Sequence, residues 1–277
     1  GPEKVGKTVT ALTFCANAQK KYQRQVYYAN IEGRLKKRDL EGISNLDLSP
    51  DQMQIIGSTE GNILSAEKYL SIVDNVVHTQ PGSLAVVDSF SALSSESELT
   101  GDLADVQVMS VQKILAKFCR RISNALPINR VTVIGITHLM ANVQRFGRGK
   151  SKIEKSGSAL KYQVDVKLHA SHSVPLMQGD TQIGQTIHWN IATSAIGPPG
   201  QKVESHIRYG KGIWKELEMA DLMIDFGLIS KAGAWLKLPN GEKIQGKANL
   251  AKYLEENPEE YNSFSKDVFS MVGLDES

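Results

Sequence analysis

The first eight residues, GPEKVGKT, match the pattern G-x-x-x-x-G-K-[ST] at its four fixed positions. A loop of this kind joins a buried strand to a helix, and its backbone N–H groups surround phosphate oxygens. Glycine at positions 1 and 6 permits backbone angles closed to other residues, while the Lys7 charge and the Thr8 hydroxyl suit terminal phosphates and Mg²⁺. We therefore predict a nucleoside triphosphatase whose phosphate loop comprises Gly1, Pro2, Glu3, Lys4, Val5, Gly6, Lys7, Thr8 and Val9.

The same opening has a second explanation, because a leading Gly-Pro pair is also a remnant of tag cleavage. A helical pattern over about residues 8–21 favours the phosphate loop, since the positive end of that helix would point at a bound anion. The strand that should precede the loop is not visible before Gly1, and the chain has no initiator Met. We therefore expect the native polypeptide to extend upstream.

Strand and helix patterns alternate along most of the chain, which is typical of a mostly parallel sheet covered by helices. Strands are predicted at residues 25–31, 53–57, 84–87 and 131–137, then at 164–171, 186–193 and 203–209. Helices are predicted at residues 66–78, 106–125 and 215–226, the last with Gly227 as its C-cap. We predict an α/β fold with a core domain over residues 1–227 and a small α/β domain over residues 228–277, where Asn240-Gly241 is a hairpin signal.

Composition limits the classes of partner and compartment. A formal net charge of +2 over 277 residues gives no general attraction for nucleic acid, so such a surface must come from local clustering. Cys15 and Cys119 are far apart and lack metal-ligand spacing, as expected of buried thiols in a reducing compartment. Without a membrane-length apolar run or a signal peptide, the sequence predicts a cytoplasmic protein that makes no membrane contact.

Polar residues follow three of the predicted strands. Asp88 ends an apolar run, and in a phosphate-loop enzyme an acid there holds the magnesium shell together with Thr8. Glu32 follows the first strand, where it can orient an attacking water, and His138 follows the strand at 131–137, where it can sense the terminal phosphate. Each also has a simpler explanation: Asp88 as the cap of a turn, Glu32 as a solvated loop acid and His138 as a structural histidine.

A polar, glycine-containing segment without periodicity covers residues 140–158, and we call it the basic loop. Its cations surround one aromatic side chain, which suits a phosphate backbone with unstacked bases. These residues are Arg145, Phe146, Arg148, Lys150, Lys152 and Lys155. A solvated charged loop would have the same composition. The position directly after His138 favours nucleic-acid binding.

Together these motifs resemble the RecA family of homologous-recombination ATPases, over about residues 1–258. GPEKVGKT resembles the family's phosphate loop, ANIEG its catalytic-glutamate segment and VVDSFSAL its magnesium-binding strand. SGSALKY resembles the end of the second DNA-binding loop. The tail KAGAWLKLPNGEKIQGKANLAKYLEENP resembles the C-terminal domain and is the most specific signal, because general motor ATPases lack it.

The resemblance implies a RecA-type ATPase core with ATP and Mg²⁺ bound between subunits. It also implies self-association into a helical filament on single-stranded DNA and strand exchange with homologous double-stranded DNA. By the same resemblance, Lys7, Glu32 and His138 are catalytic, Thr8 and Asp88 hold the metal, and the DNA loops cover about residues 94–108 and 139–158. Beyond the cations and Phe146 named above, the DNA contacts that the resemblance adds are Lys113, Arg120, Gly157 and Ser158.

Three departures from the family pattern leave alternatives open. His138 replaces the usual Gln sensor, KKRD at residues 36–39 replaces residues that hold adenine, and Thr193 and Ala195 replace two lysines that reach the neighbour's ATP. Losing those cations removes electrostatic help for phosphoryl transfer, so we predict weak ATPase activity without DNA. The alternatives are a RecA-fold motor such as a ring helicase, and a DNA-binding filament protein that uses ATP as a switch with little hydrolysis.

Overall fold

One sheet of the protein has four strands, all parallel, and we call it the central sheet. The computed structural model describes residues 1–102, 110–141, 152–154, 160, 163–195 and 197–274. The strands of the central sheet are β1 (Val26–Asn30), β2 (Met53–Ile56), β3 (Leu84–Asp88) and β4 (Thr132–Gly135), and they lie in the order β2-β1-β3-β4. Because all four are parallel, their carboxyl ends meet at one edge, where ligands bind in open α/β sheets.

Helices alternate with the strands of the central sheet, whereas the described residues after Gly135 form several consecutive strands before the next α-helix. The helices are α1 (Lys7–Tyr22), α2 (Lys37–Glu41), α3 (Ala66–Thr79), α4 (Glu96–Thr100), α5 (Ser110–Ile122), α6 (Ala125–Asn129), α7 (Lys215–Asp225), α8 (Lys247–Glu256) and α9 (Pro258–Met271). The further strands are β5 (Leu139–Ala141), β6 (Lys152–Glu154), β7 (Val166–Gln178), β8 (Thr181–Ser194), β9 (Lys202–Arg208), β10 (Gly212–Ile213), β11 (Ser230–Ala232), β12 (Trp235–Lys237) and β13 (Lys243–Gln245).

The two inner strands of the central sheet, β1 and β3, are buried on both faces. Since neighbouring strand residues point to opposite faces, Tyr28 and Val86 pack in the cluster that contains α1, while Tyr27 and Val87 pack in the cluster that contains α3 and α5. Burial on both faces explains why the strands read as continuous apolar runs rather than alternating ones. The predicted α/β fold with a mostly parallel sheet is confirmed.

The chain separates into two compact units. The first comprises Gly1–Val174, Ile187–Val203 and Tyr209–Gly212, and the second comprises Pro175–Thr186, Glu204–Arg208 and Ile213–Ser277. In the second unit, a sheet of order β11-β12-β13 accompanies α7, α8 and α9 around an apolar cluster. Helix α7, which the sequence prediction assigns to the core domain, belongs to this second unit, and the domain boundary at residue 227 stays a prediction.

The sequence underestimates one hairpin. Strands were expected only at 164–171 and 186–193, whereas β7 runs on to Gln178 and β8 begins at Thr181. Pro175 and Gly184 interrupt the strand pattern of the sequence, yet β7 continues through Pro175 and β8 through Gly184. Gly179 turns the hairpin with a φ of 58°, and Gly184 lies where a Cβ would come within 1.9 Å of the Ile207 carbonyl oxygen.

Two helix ends test the predictions more closely. Gly227 follows α7 with a φ of 70°, and the N–H of Leu228 donates to the Met223 carbonyl at 2.9 Å, which is the glycine stop that the sequence predicts. The helix expected over 106–125 is shorter, because α5 ends at Ile122 and α6 begins at Ala125. No described helix combines the length and the apolarity that crossing a bilayer requires.

Candidate nucleotide-binding and catalytic site

The predicted phosphate loop leads directly into the N-terminus of α1. Gly6 is the N-cap residue and has a φ of 96°, and Lys4 also has a positive φ, of 57°. Turns of this kind form the anion-binding concavities found before helices. Gly1 is required for a different reason from the predicted one, since a Cβ there would lie 2.7 Å from the carbonyl oxygen of Ala170. Gly6 is therefore needed for its backbone angle, and Gly1 for the close approach of the Ala170 backbone.

The ammonium group of Lys7 lies against its own loop. Its Nζ donates to the Gly1 carbonyl at 3.2 Å and also to the Pro2 carbonyl. Burial lowers the pKa of Lys7 below its ordinary value, and the carboxylate of Glu32 acts in the opposite direction. A cation held over the loop by backbone carbonyls can exchange those contacts for phosphate oxygens.

The two predicted metal residues are in direct contact. Thr8 Oγ1 donates a 2.9 Å hydrogen bond to Oδ2 of Asp88, and the hydroxyl of Tyr28 donates to the same oxygen at 2.7 Å. Asp88 is 6% exposed, and burial raises its pKa although both hydrogen bonds oppose that rise. A hydroxyl and a carboxylate beside the phosphate loop supply oxygen ligands, which fit Mg²⁺ because this ion takes one or two protein oxygens together with substrate phosphates.

The predicted base and the predicted sensor are also in contact. His138 Nε2 lies 2.6 Å from Oε1 of Glu32, and Ser89 Oγ donates to the same oxygen at 2.8 Å. Because an ionised carboxylate only accepts, we assign the ring proton to Nε2. Burial would raise the pKa of Glu32, but the hydrogen bonds from Ser89 and His138 outweigh it and leave that pKa below its ordinary value. The other oxygen of Glu32, Oε2, lies 3.8 Å from the guanidinium of Arg34.

Strand order brings these groups together. Strand β3 lies between β1 and β4, so Glu32 after β1 and His138 after β4 approach the end of β3 from its two sides. Asn30 is in register with Asp88, and the backbone N–H of His138 donates to Ser91 Oγ at 2.8 Å. Sequence reasoning did not identify Tyr28, Ser89 or Ser91. For the two serines a signal existed, because both follow Asp88 in the segment VVDSFS.

The predicted DNA contacts are only partly covered by the structure. Lys113 and Arg120 are exposed on α5 and seven positions apart, which places them on one side of the helix with Lys117 between them. The adjacent Arg121 instead forms hydrogen bonds with Asp74, the shortest 2.7 Å. Lys152 begins β6, which pairs with β5. The other predicted DNA contacts lie outside the described residues: Arg145, Phe146, Arg148, Lys150, Lys155, Gly157 and Ser158.

Comparison with known proteins finds similarity along nearly the whole chain. The family model described as RecA N-terminal domain matches residues 1–214, and that described as RecA C-terminal domain matches residues 217–273. Protein RecA of Cutibacterium acnes is 30% identical over 277 residues, covering 100% of this chain and 77% of that protein. Protein RecA of a Nitratiruptor species is 27% identical over 277 residues, covering 100% of this chain and 78% of that protein.

Another similar protein, Protein RecA of Wolinella succinogenes, is 28% identical over 273 residues, with 99% of this chain and 75% of that protein covered. The tail that distinguishes recombinases from motor ATPases in the sequence lies within the second family match. Because the two family models together account for nearly all of its residues, this chain belongs to the RecA family, the DNA-dependent ATPases of homologous recombination.

Proposed function

We propose that this recombinase assembles on single-stranded DNA, binds ATP with Mg²⁺ at the carboxyl edge of its parallel sheet, and exchanges strands with a homologous duplex. The observation that carries the proposal is the convergence of Lys7, the Thr8–Asp88 pair and the Glu32–His138 pair at that edge. Its cofactors are ATP and Mg²⁺, and its partners are both forms of DNA and further copies of itself. We expect it to act in the cytoplasm.

Each side chain of the site has a chemical task in this proposal. The loop and Lys7 bind and orient the phosphates, while Thr8 and Asp88 hold the ion, which supplies charge neutralisation on the phosphate oxygens. Glu32 uses its Oε2 to take a proton from the attacking water, because Oε1 already accepts from Ser89 and His138. The water oxygen forms a bond to the γ-phosphorus while the bond between that phosphorus and the ADP oxygen breaks.

DNA binding is proposed for α5 and the basic loop. Lys113 and Arg120 face solvent on α5, and the exposed Lys117 would strengthen the same surface. The basic loop follows β4 and His138 in the chain, so a change at the nucleotide has a short covalent path to the residues predicted to hold DNA. That path supports a coupling between ATP hydrolysis and DNA binding.

The test compares steady-state ATP hydrolysis with and without single-stranded DNA, followed by strand exchange in the same preparation. We expect slow hydrolysis without DNA, stimulation by DNA, and strand exchange that needs ATP. E32Q should retain ATP and DNA binding but lose hydrolysis, whereas K7A should weaken nucleotide binding itself. Fast hydrolysis in the absence of DNA, or DNA-stimulated hydrolysis without any strand exchange, would contradict the proposal.

A second candidate is a filament protein that uses ATP mainly as a switch. It is favoured by Thr193 and Ala195, which stand where the family resemblance implies two lysines near the neighbour's nucleotide. The variant T193K/A195K separates the two candidates. If missing charge limits hydrolysis, the variant should hydrolyse ATP faster on DNA, by roughly tenfold or more for groups of this kind. An unchanged rate would indicate that another group already supplies the charge.

A further inference from the structure

Tyr28 is a fully buried tyrosine whose hydroxyl donates a hydrogen bond to one specific acceptor. Its side chain is 0% exposed and packs among apolar residues on the α1 face of the sheet, including Cys15 and Val86. A phenol in such surroundings needs a hydrogen-bond partner. Here that partner is Oδ2 of Asp88, at 2.7 Å.

The same carboxylate oxygen carries a second donor. Thr8 Oγ1 reaches Oδ2 from the start of α1 at 2.9 Å, while Tyr28 reaches it from β1. A carboxylate oxygen has two lone-pair sites, so two donors fill Oδ2. Both side-chain hydrogen bonds that Asp88 accepts from described residues go to Oδ2. Its other oxygen, Oδ1, accepts none from a described side chain.

We propose that Tyr28 is a positioning residue for the metal site, where it holds Asp88 in one orientation and reserves Oδ1 for Mg²⁺ and its water shell. The inference rests on the proposed metal role of Thr8 and Asp88. Tyr28 is the more constant of the two donors, because its ring is enclosed in the core whereas Thr8 must also serve the ion. Partners of this kind orient metal-binding carboxylates and tune metal affinity.

Phenylalanine isolates the contribution of the hydroxyl. Y28F keeps the ring in the apolar cluster and deletes one donor, after which Asp88 still accepts from Thr8. The matched control is Y27F, the same change one residue earlier on β1. Tyr27 is 6% exposed, lies on the opposite face of the sheet and donates to Gln25 Oε1 at 2.7 Å.

The experiment measures binding of a fluorescent ATP analogue by the full chain while Mg²⁺ is titrated. We expect the half-saturating Mg²⁺ concentration of Y28F to rise by about tenfold or more, the range found when a partner of a metal ligand is removed. Y27F should behave as the unsubstituted protein does. Analogue binding in EDTA should be the same for all three proteins, because the hydroxyl acts through the metal site.

Two results would overturn the inference. One is a folded Y28F with an unchanged Mg²⁺ midpoint, and the other is an equal weakening in EDTA, which would indicate lost packing. If Y28F does not fold, 3-fluorotyrosine at position 28 keeps the ring and provides a stronger donor. It should leave the Mg²⁺ midpoint equal or lower, and a raised midpoint would contradict the inference. Failure of the unsubstituted protein to bind the analogue in a Mg²⁺-dependent way would instead refute the proposed function.

Discussion

Replacing Ser89 with alanine should slow ATP hydrolysis without unfolding the protein. Ser89 is 0% exposed, and its hydroxyl donates to Oε1 of Glu32 at 2.8 Å. S89A removes one oxygen and leaves His138 as the remaining donor to Oε1. A hydrogen bond to a charged group contributes about 1.5–3 kcal/mol. If this bond orients Glu32 for catalysis, S89A loses a large part of that free energy from the stabilisation of the transition state. Since about 1.4 kcal/mol corresponds to a tenfold change in rate, we expect a decrease in kcat of roughly 10- to 100-fold.

The control for S89A is S83A, a second buried serine, just before the opposite end of β3. Ser83 is 3% exposed, and its Oγ has no hydrogen-bond partner within the described residues. S83A should therefore hydrolyse ATP at the unsubstituted rate. DNA-stimulated hydrolysis would be measured at saturating ATP, with thermal unfolding by circular dichroism to show that both variants fold. The reasoning is refuted if folded S89A and S83A have the same kcat.

Two further predictions concern stability and DNA. D221N should destabilise the second unit by about 2 kcal/mol at pH 7, because Asp221 accepts from His206 at 2.8 Å and also from Lys247. Burial alone would raise the pKa of Asp221, but these partners leave it below the ordinary value, so the stabilisation is present above about pH 4 and is lost as the pH falls through the folded pKa. Urea unfolding from pH 7 to pH 3 should show the difference between the two proteins shrinking, and a constant difference would contradict this. Replacing Arg145, Arg148 and Lys150 of the basic loop with alanine should weaken binding to single-stranded DNA and flatten its salt dependence, by a slope of about 0.7 per lost phosphate contact. An unchanged slope in fluorescence anisotropy would mean that this segment is only a solvated loop.

The elements of the fold that could be predicted are those with a local cause. The phosphate loop, the apolar strand ending at Asp88 and the glycine stop after α7 are each encoded within a few consecutive residues. The hairpin of β7 and β8 was underestimated because its extension depends on a neighbour, the Ile207 backbone that Gly184 allows to approach. The boundary between α5 and α6 was missed because apolar spacing continues across it.

The candidate site shows the same division. That Asp88, Glu32 and His138 lie at or just after the ends of strands followed from the sequence, and strand ends in a parallel sheet share an edge. Which of them touch one another depended on strand order, since only a central β3 brings Glu32 and His138 to the same place. The hydrogen-bond partners of Tyr28 and Ser89 could not be read from the sequence, because each acts on a carboxylate that lies far away in the chain, Tyr28 on Asp88 and Ser89 on Glu32.

The sequence by itself determined the class of chemistry, because a phosphate loop requires particular residue types at short, fixed spacing. It also identified the family, through a tail that general ATPases lack. Only the tertiary structure decided how Glu32 and Asp88, the carboxylates proposed for catalysis and for metal binding, are held, with two donors on a single oxygen of each. The physical reason is that a hydrogen bond needs a separation of about 3 Å in space, which sequence separation does not reveal.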